Sequence, residues 1–379
     1  MKKRLFLLLL TLILLIQFSA CAALIEGYEL NYRAHEVNPS LEQDGAEYIV
    51  VSTQEELARS ILNMVDEQDE SRLFRVLSLG RDAVEDAIRE VSLRPLVAYA
   101  VYPIIPLILT ESPGLLEMEL SISYRKTAEQ VANVRQVHTA AGASTLLGQM
   151  LREGGTYLAL LCPVNIANVS FLETIVLDYY YRHPLDTVIL PELAVSFYPS
   201  TGSGNLRVAA IELAFGVDHE SFLQMRSDLR ERAEEMVQEI PYDLSLAEQV
   251  IWISYALSNQ TMRDYDEEIF SVSNTAYGAL VMQLASSEGF ARGLQALLSL
   301  LDIESFIVRG ELEEEFHVWN LIYIEGYYYH VDISMLAELG AQETLFVPDE
   351  VMMFGNGYSW DLSEHPRAES VLRYADFAQ

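Results

Sequence analysis

The stretch that most constrains this chain is FHVWNLIYIEGYYYHVDI, Phe316 to Ile333. Two runs rich in β-branched and aromatic residues flank Glu325–Gly326, the pattern of a hairpin closed by a two-residue turn. Once Ile324 is set opposite Tyr327, every other pairing follows. Trp319 faces Asp332, His317 faces Ser334 and Leu321 faces His330. Side chains two residues apart share a face of a strand, so His317, Trp319, Asp332 and Ser334 fall together. His317 and Asp332 are diagonal neighbours, roughly 7–8 Å apart at Cα and within side-chain reach. An imidazole oriented by a carboxylate is the base half of a catalytic triad. His330 shares the face and is the rival base. In so tyrosine-rich a strand it is read instead as a packed or surface histidine.

Upstream, ASSEGFARGLQALLSLLD (Ala285–Asp302) sets Phe290, Leu294, Leu297, Leu298 and Leu301 on one helical face. Ser287 falls at the N-terminal tip, where backbone N–H groups and the positive end of the helix dipole converge. Such a tip favours a thiolate or an oxyanion. A serine hydroxyl is far less acidic than a thiol, and the tip alone does not ionise it. Ser287 becomes a nucleophile only if His317 takes its proton as the attack occurs. The structural alternative is a helix N-cap. Glu311, Glu313, Glu314 and Glu315 precede His317. Near the site they would favour imidazolium, the wrong state for a general base; away from it they form a solvated loop.

Three motifs in this order, EGFA after Ser287, then HVWN, then GYYYHVD, resemble the bacterial transglutaminase-like core, a branch of the papain-like superfamily. NTAYGAL (Asn274–Leu280) and TLFVPDEVMMFGNGYSWDLSEHP (Thr344–Pro366) are similar to the flanks of that core. The resemblance spans about residues 240–370. It implies a cysteine that attacks an amide, a histidine base and an aspartate that orients the histidine. The aspartate falls on Asp332, the histidine on His317 and the nucleophile on Ser287, with serine in place of the cysteine. A second departure is Ser334–Met335, where the family often has Thr-Trp. The resemblance and its departures imply a degenerate domain whose cleft holds a peptide, protein or cell-wall component. Tyr277, Trp319 and the tyrosines Tyr327–Tyr329 would supply aromatic contact, although tyrosines there also serve as core. The alternative is an active Ser-His-Asp amidase, peptidase or acyl transferase. Neither reading calls for a cofactor.

Before this region, two segments run in the same order. STQEELARSILNMVDE opens with Ser52 and Glu55 as a capping box, and a strand SRLFRVLSL follows. A second helix then runs to Pro95, and a strand ends at Tyr124. STLLGQMLREGG, TYLALLCPV, a helix to Pro184 and a strand ending at Phe215 repeat that order. Chance similarity is the alternative to duplication. The fold expected is α+β: a duplicated small α/β module (residues 48–127 and 138–217), then a connector helix and a papain-like transglutaminase core (218–379).

The N-terminus reads as an export signal, MKKR followed by an apolar core from Leu5 to Phe18. That core is short of the roughly 20 residues a membrane-spanning helix needs. FSAC resembles a bacterial lipobox and makes Cys21 the expected lipidation site, with residues 22–47 as a tether. Phe18 stands where that motif usually has leucine. Cleavage near Ala20–Ala23 and an uncleaved anchor are the alternatives. The chain is thus expected outside the cytoplasmic membrane, held there by lipid. Its net charge of −32 argues against nucleic acid as a partner, since phosphates are repelled. The chain has 2 cysteines and 7 histidines, and none shows zinc-site spacing. Cys162, in an apolar strand, is read as a buried structural thiol, and Arg263–Glu268 as a solvated acidic turn.

Overall fold

The computed structural model describes residues 47–202, 204–265 and 271–378. Cys21, the tether up to residue 46 and Asp266–Glu268 of the acidic run lie outside the described residues.

Alternating apolar residues drive the first four strands, β1 (Tyr48–Val51), β2 (Ser71–Leu77), β3 (Ile105–Ser112) and β4 (Leu115–Ser121), into one sheet of order β1-β2-β4-β3. β1 and β2 are parallel and the other pairs antiparallel. Helix α1 (Gln54–Glu67) crosses between the parallel strands, and α2 (Arg81–Ser92) follows β2. Leu57, Ile61, Phe74, Val76, Val84, Val91 and Met118 close the core between helices and sheet. The capping arrangement sits one residue later than the sequence suggests. Thr53 is the N-cap and accepts from the Glu56 N–H, while the Glu56 carboxylate accepts from the Ser52 N–H at 2.7 Å. Pro95 does not merely stop α2. It opens a short helix, α3 (Pro95–Ala100), at a first-turn position where its missing N–H costs nothing.

After a short helix α4 (Ala128–Ala132), strands β5 (Arg135–Gln136), β6 (Tyr157–Pro163), β7 (Glu192–Tyr198) and β8 (Leu206–Ala214) form a second sheet of order β5-β6-β8-β7. Its parallel pair is again the first one. Helix α5 (Ala140–Glu153) has the 14-residue length of α1, and it too is capped by a threonine (Thr139) and ended by a left-handed residue. Helix α6 (Val169–Arg182) follows β6. Cys162 on β6 is buried, and burial pushes its thiol up to about 11, out of reactive range. The outer face of the second sheet is small and apolar (Ala159, Val208, Ala210), and Tyr99 of α3 packs onto it, fully buried. The matching face of the first sheet instead carries the Arg75–Glu117 ion pair at 2.8 Å.

The C-terminal part is built around α9 (Ser287–Leu300), a helix buried on nearly every side, with Arg292 and Gln295 enclosed beside its apolar face. It follows α7 (His219–Gln238) and α8 (Leu246–Gln260) and packs against both. Between α8 and α9, β9 (Met262–Arg263) pairs with β10 (Leu284–Ala285). α9 lies on a sheet of β11 (Ser305–Leu312), β12 (Glu315–Ile324), β13 (Tyr327–Val331) and β14 (Tyr358–Trp360), in the order β13-β12-β11-β14. The hairpin takes the register read from sequence, with Ile324 opposite Tyr327 and Leu321 opposite His330. Glu325 and Gly326 both adopt positive φ, as a tight hairpin turn demands. β11 and β12 are joined by a second such turn, Glu313–Glu314, which uses two non-glycine residues at φ 54 and 71. The buried Arg292 of α9 donates to Tyr180 O at 2.8 Å and Thr187 O at 3.0 Å, with its guanidinium 3.4 Å from the Tyr180 ring centre. That clamp joins the second sheet's module to the helix that carries Ser287.

Candidate active site

Two motif residues explain how the site is held. Gly289 brings α9 against the Val272–Asn274 turn so closely that a Cβ would lie 1.9 Å from Ser273 O. Asn320 of β12, wholly buried, donates to Ala291 O at 2.9 Å and ties the sheet to the helix.

Ser287 is the first residue of α9 and only 1% exposed. The cap is its neighbour. Ser286 Oγ accepts from the Gly289 N–H at 3.3 Å and donates to Asn274 Oδ1 at 2.6 Å. The structural alternative for Ser287, a helix cap, is therefore filled by Ser286. Ser287 and Glu288 line a cavity of about 560 Å³, together with Tyr181, Phe215, Arg309 and Phe316 among others. Glu288 accepts from the Tyr181 hydroxyl at 3.1 Å, a contact across modules.

His317 and Asp332 meet as the register predicts. Nε2 of His317 lies 2.6 Å from Asp332 Oδ2. The hairpin ladder ends at Asn320–Val331, so Asp332 is placed past the last pair, its N–H bonded to Thr344 O at 2.8 Å. The carboxylate accepts from Tyr358 OH at 2.7 Å, Ser334 Oγ at 2.6 Å and Ser334 N at 3.0 Å. Burial alone would raise the Asp332 pKa. The charge and hydrogen bond of His317, with the hydroxyls of Ser334 and Tyr358, outweigh it and hold the group below the usual carboxylate range. Burial and the neighbouring Asp332 push the Tyr358 phenol far up, so it acts as a donor only. With Nε2–H directed at Asp332, the nitrogen left to accept a proton is Nδ1 of His317.

His317 lines a cavity of about 570 Å³, with Arg263, Asp264, Glu313, Glu315 and Glu338 among its walls. Phe316 stands in the walls of both cavities. Glu313 and Glu315 thus belong to the histidine's surroundings.

Trp319 is not a ligand contact. It is 0% exposed, lies beside the His317 ring with centroids 6.2 Å apart, and donates from its indole to His330 Nδ1 at 2.9 Å. Tyr277 is half-buried against the core beneath the helix Gly278–Met282 and lines neither cavity. Of the three tyrosines after the turn, Tyr329 is core and Tyr327 is half exposed. His330 is buried in a pair of its own. An indole only donates, so His330 Nδ1 is unprotonated and Nε2–H faces Asp349 Oδ1 at 2.9 Å. Burial lowers its pKa, against the pull of Asp349, and Arg367 Nε stands 2.6 Å from the other oxygen of that carboxylate. Asp349, Tyr358, Tyr181 and Arg292 were not singled out by sequence reasoning. Each is distant in the chain from its partner, and no local spacing marks it.

Among the described residues no group of three His, Cys, Asp or Glu side chains is placed to hold a metal, and no helix is long and apolar enough to cross a membrane. No protein-family profile matches the chain, and no curated protein matches it in sequence. Two solved structures overlap it in part. One is a transglutaminase, 12% identical, TM-score 0.27, covering 47% of this chain and 50% of its own. The other is a provisionally named cysteine protease from Cytophaga hutchinsonii, 15% identical, TM-score 0.26, covering 45% of this chain and 65% of its own. This chain thus spans about half to two-thirds of each, and neither overlap assigns a role to any residue here.

Proposed function

We propose that this is an exported, lipid-anchored protein with a transglutaminase-like core that holds a peptide, protein or cell-wall component in its cleft without turning it over. One observation carries the non-catalytic reading: the residue that opens the buried helix α9 is Ser287, a serine where the motif has a cysteine. A thiol could ionise at the helix tip without direct contact with the base. A serine needs that contact at the moment of attack. The cavity beside Ser287, lined mostly by apolar side chains with a few polar groups, has the make-up of a ligand cleft. The matching strand order and helix caps of the two sheets support reading residues 48–127 and 138–217 as a duplication, and side chains of the second copy line that cleft. Lipidation at Cys21 rests on the lipobox-like FSAC and is checked by whether Cys21→Ala moves the protein from membrane to soluble fraction.

The second reading, a Ser-His-Asp amidase, peptidase or acyl transferase, is favoured by the intact His317–Asp332 pair at 2.6 Å with Nδ1 available. Fluorophosphonate labelling read by intact mass decides between them. No adduct on folded protein is expected. One adduct, lost in both Ser287→Ala and His317→Ala, would establish a nucleophilic serine and sink the non-catalytic reading.

A further inference from the structure

We infer that the cavity beside Ser287 takes a ligand with an apolar body and a carboxylate, the carboxylate pairing with Arg309. This rests on the cleft reading above and names the ligand chemistry. The chain as a whole carries 56 acidic against 24 basic residues, so an anion is repelled from most of its surface. The cavity is different. Among the described residues its only lining cation is Arg309, and its only lining carboxylate is Glu288. The two do not pair. The Tyr181 ring stands between their roles: its hydroxyl donates to Glu288 at 3.1 Å, and its face supports the Arg309 guanidinium at 5.1 Å. Glu288 is thereby engaged, and Arg309 forms no ion pair with any described residue.

A guanidinium held over an aromatic face keeps its edge N–H groups directed outward, and that edge matches the two oxygens of a carboxylate. The rest of the wall is built for an apolar body, with Tyr180, Ile189, Leu190, Phe215 and Val217 contributing. At about 560 Å³ the space suits a short peptide end or an acyl chain. Both a peptide C-terminus and a free fatty acid offer this chemistry, and the test separates them.

The experiment is native mass spectrometry on the full-length protein in detergent. The probes are an N-acetylated tripeptide library of Leu, Phe, Tyr and Ala as free acids, the same library as C-terminal amides, and decanoate. The acids are expected to bind roughly fivefold to tenfold more tightly than the amides, the range of an exposed charge-assisted pair. Arg309→Gln should abolish that preference, Arg309→Lys should keep part of it, and Glu288→Gln should strengthen acid binding by removing a like charge. Arg309 is exposed, so its two variants leave the fold intact. Decanoate binding that depends on Arg309, without peptide binding, would assign the carboxylate to a fatty acid and keep the inference. Equal binding of acids and amides, both lost in the cavity-filling Val217→Trp, would overturn the carboxylate and leave the cleft standing. Binding of no probe would overturn the inference, while the labelling experiment above still decides the catalytic question.

Discussion

Ser287 and His317 line two different cavities, and Phe316 is in the wall of both. Phe316 is 55% exposed and sits on β12 directly before the histidine, so it is costly to neither core nor turn to truncate it. In Ser287→Cys the new thiol should react slowly with iodoacetamide, because the position is 1% exposed. Adding Phe316→Ala should raise the alkylation rate about tenfold if the ring bars access, since thiolate reactivity follows exposure as well as pKa. An unchanged rate would remove Phe316 as the barrier.

Asp332 accepts four hydrogen bonds while wholly enclosed. Asp332→Ala leaves His317, Ser334 and Tyr358 without their acceptor and should cost about 3–5 kcal/mol, seen as an earlier urea transition by tryptophan fluorescence. Because its folded pKa is depressed, the carboxylate stabilises the fold above its ordinary value of about 3.9. That contribution disappears as pH falls through the lower, folded value. Asp332→Asn should therefore flatten the acid limb of the stability curve. A limb identical to wild type would contradict the pairing.

His330 titrates with the same consequence at milder pH. Its folded pKa is lowered by burial, so the unfolded chain takes up the proton first. The neutral imidazole, hydrogen-bonded to Asp349, contributes fully above pH about 6.5, and that contribution is lost as the pH falls through the lower, folded value. His183 and His365 shift in the same direction. Thermal denaturation should show Tm falling between about pH 7 and 5, across the ordinary histidine range, with a shallower fall in His330→Gln. Equal slopes would place the effect on the other histidines.

Arg292 joins α9 to the end of α6 through two carbonyls and a tyrosine face. Arg292→Met keeps the bulk but leaves Tyr180 O and Thr187 O unpaired, at about 1–3 kcal/mol for each buried group. Hydrogen exchange should quicken in the last turn of α6 and spare the first sheet. Uniform acceleration would mean global unfolding instead of a loosened joint.

Gly289→Ala puts a methyl 1.9 Å from the Ser273 carbonyl oxygen, so the helix or the turn must shift. Loss of soluble protein, or a Tm lower by many degrees, is expected. A normally stable variant would show that the Val272–Asn274 turn yields.

Much of the site was legible because it is local. The Glu325–Gly326 turn fixes the register, and the register brings His317 to Asp332. The helix tip was legible from spacing, but which of two adjacent serines caps it was not, since both fit the cap by type. The edge strand β3 was missed because it points Ile105 and Leu107 outward, 75% and 59% exposed, the reverse of the usual alternation. The Glu313–Glu314 turn was hidden for want of a glycine or asparagine. Tyr181 meets Glu288 across 107 positions of sequence, a distance no local pattern reaches. Trp319 looked like a contact surface because aromatic residues serve both cores and clefts, and only burial tells them apart.

The division of labour between Ser286 and Ser287 bears on how such a domain changes. Ser286 holds the helix end, so the side chain at 287 is relieved of that duty and answers to other demands. From most serine codons a cysteine is one nucleotide away. At this tip, exchange of a hydroxyl for a thiol leaves the cap, and with it the helix end, in place.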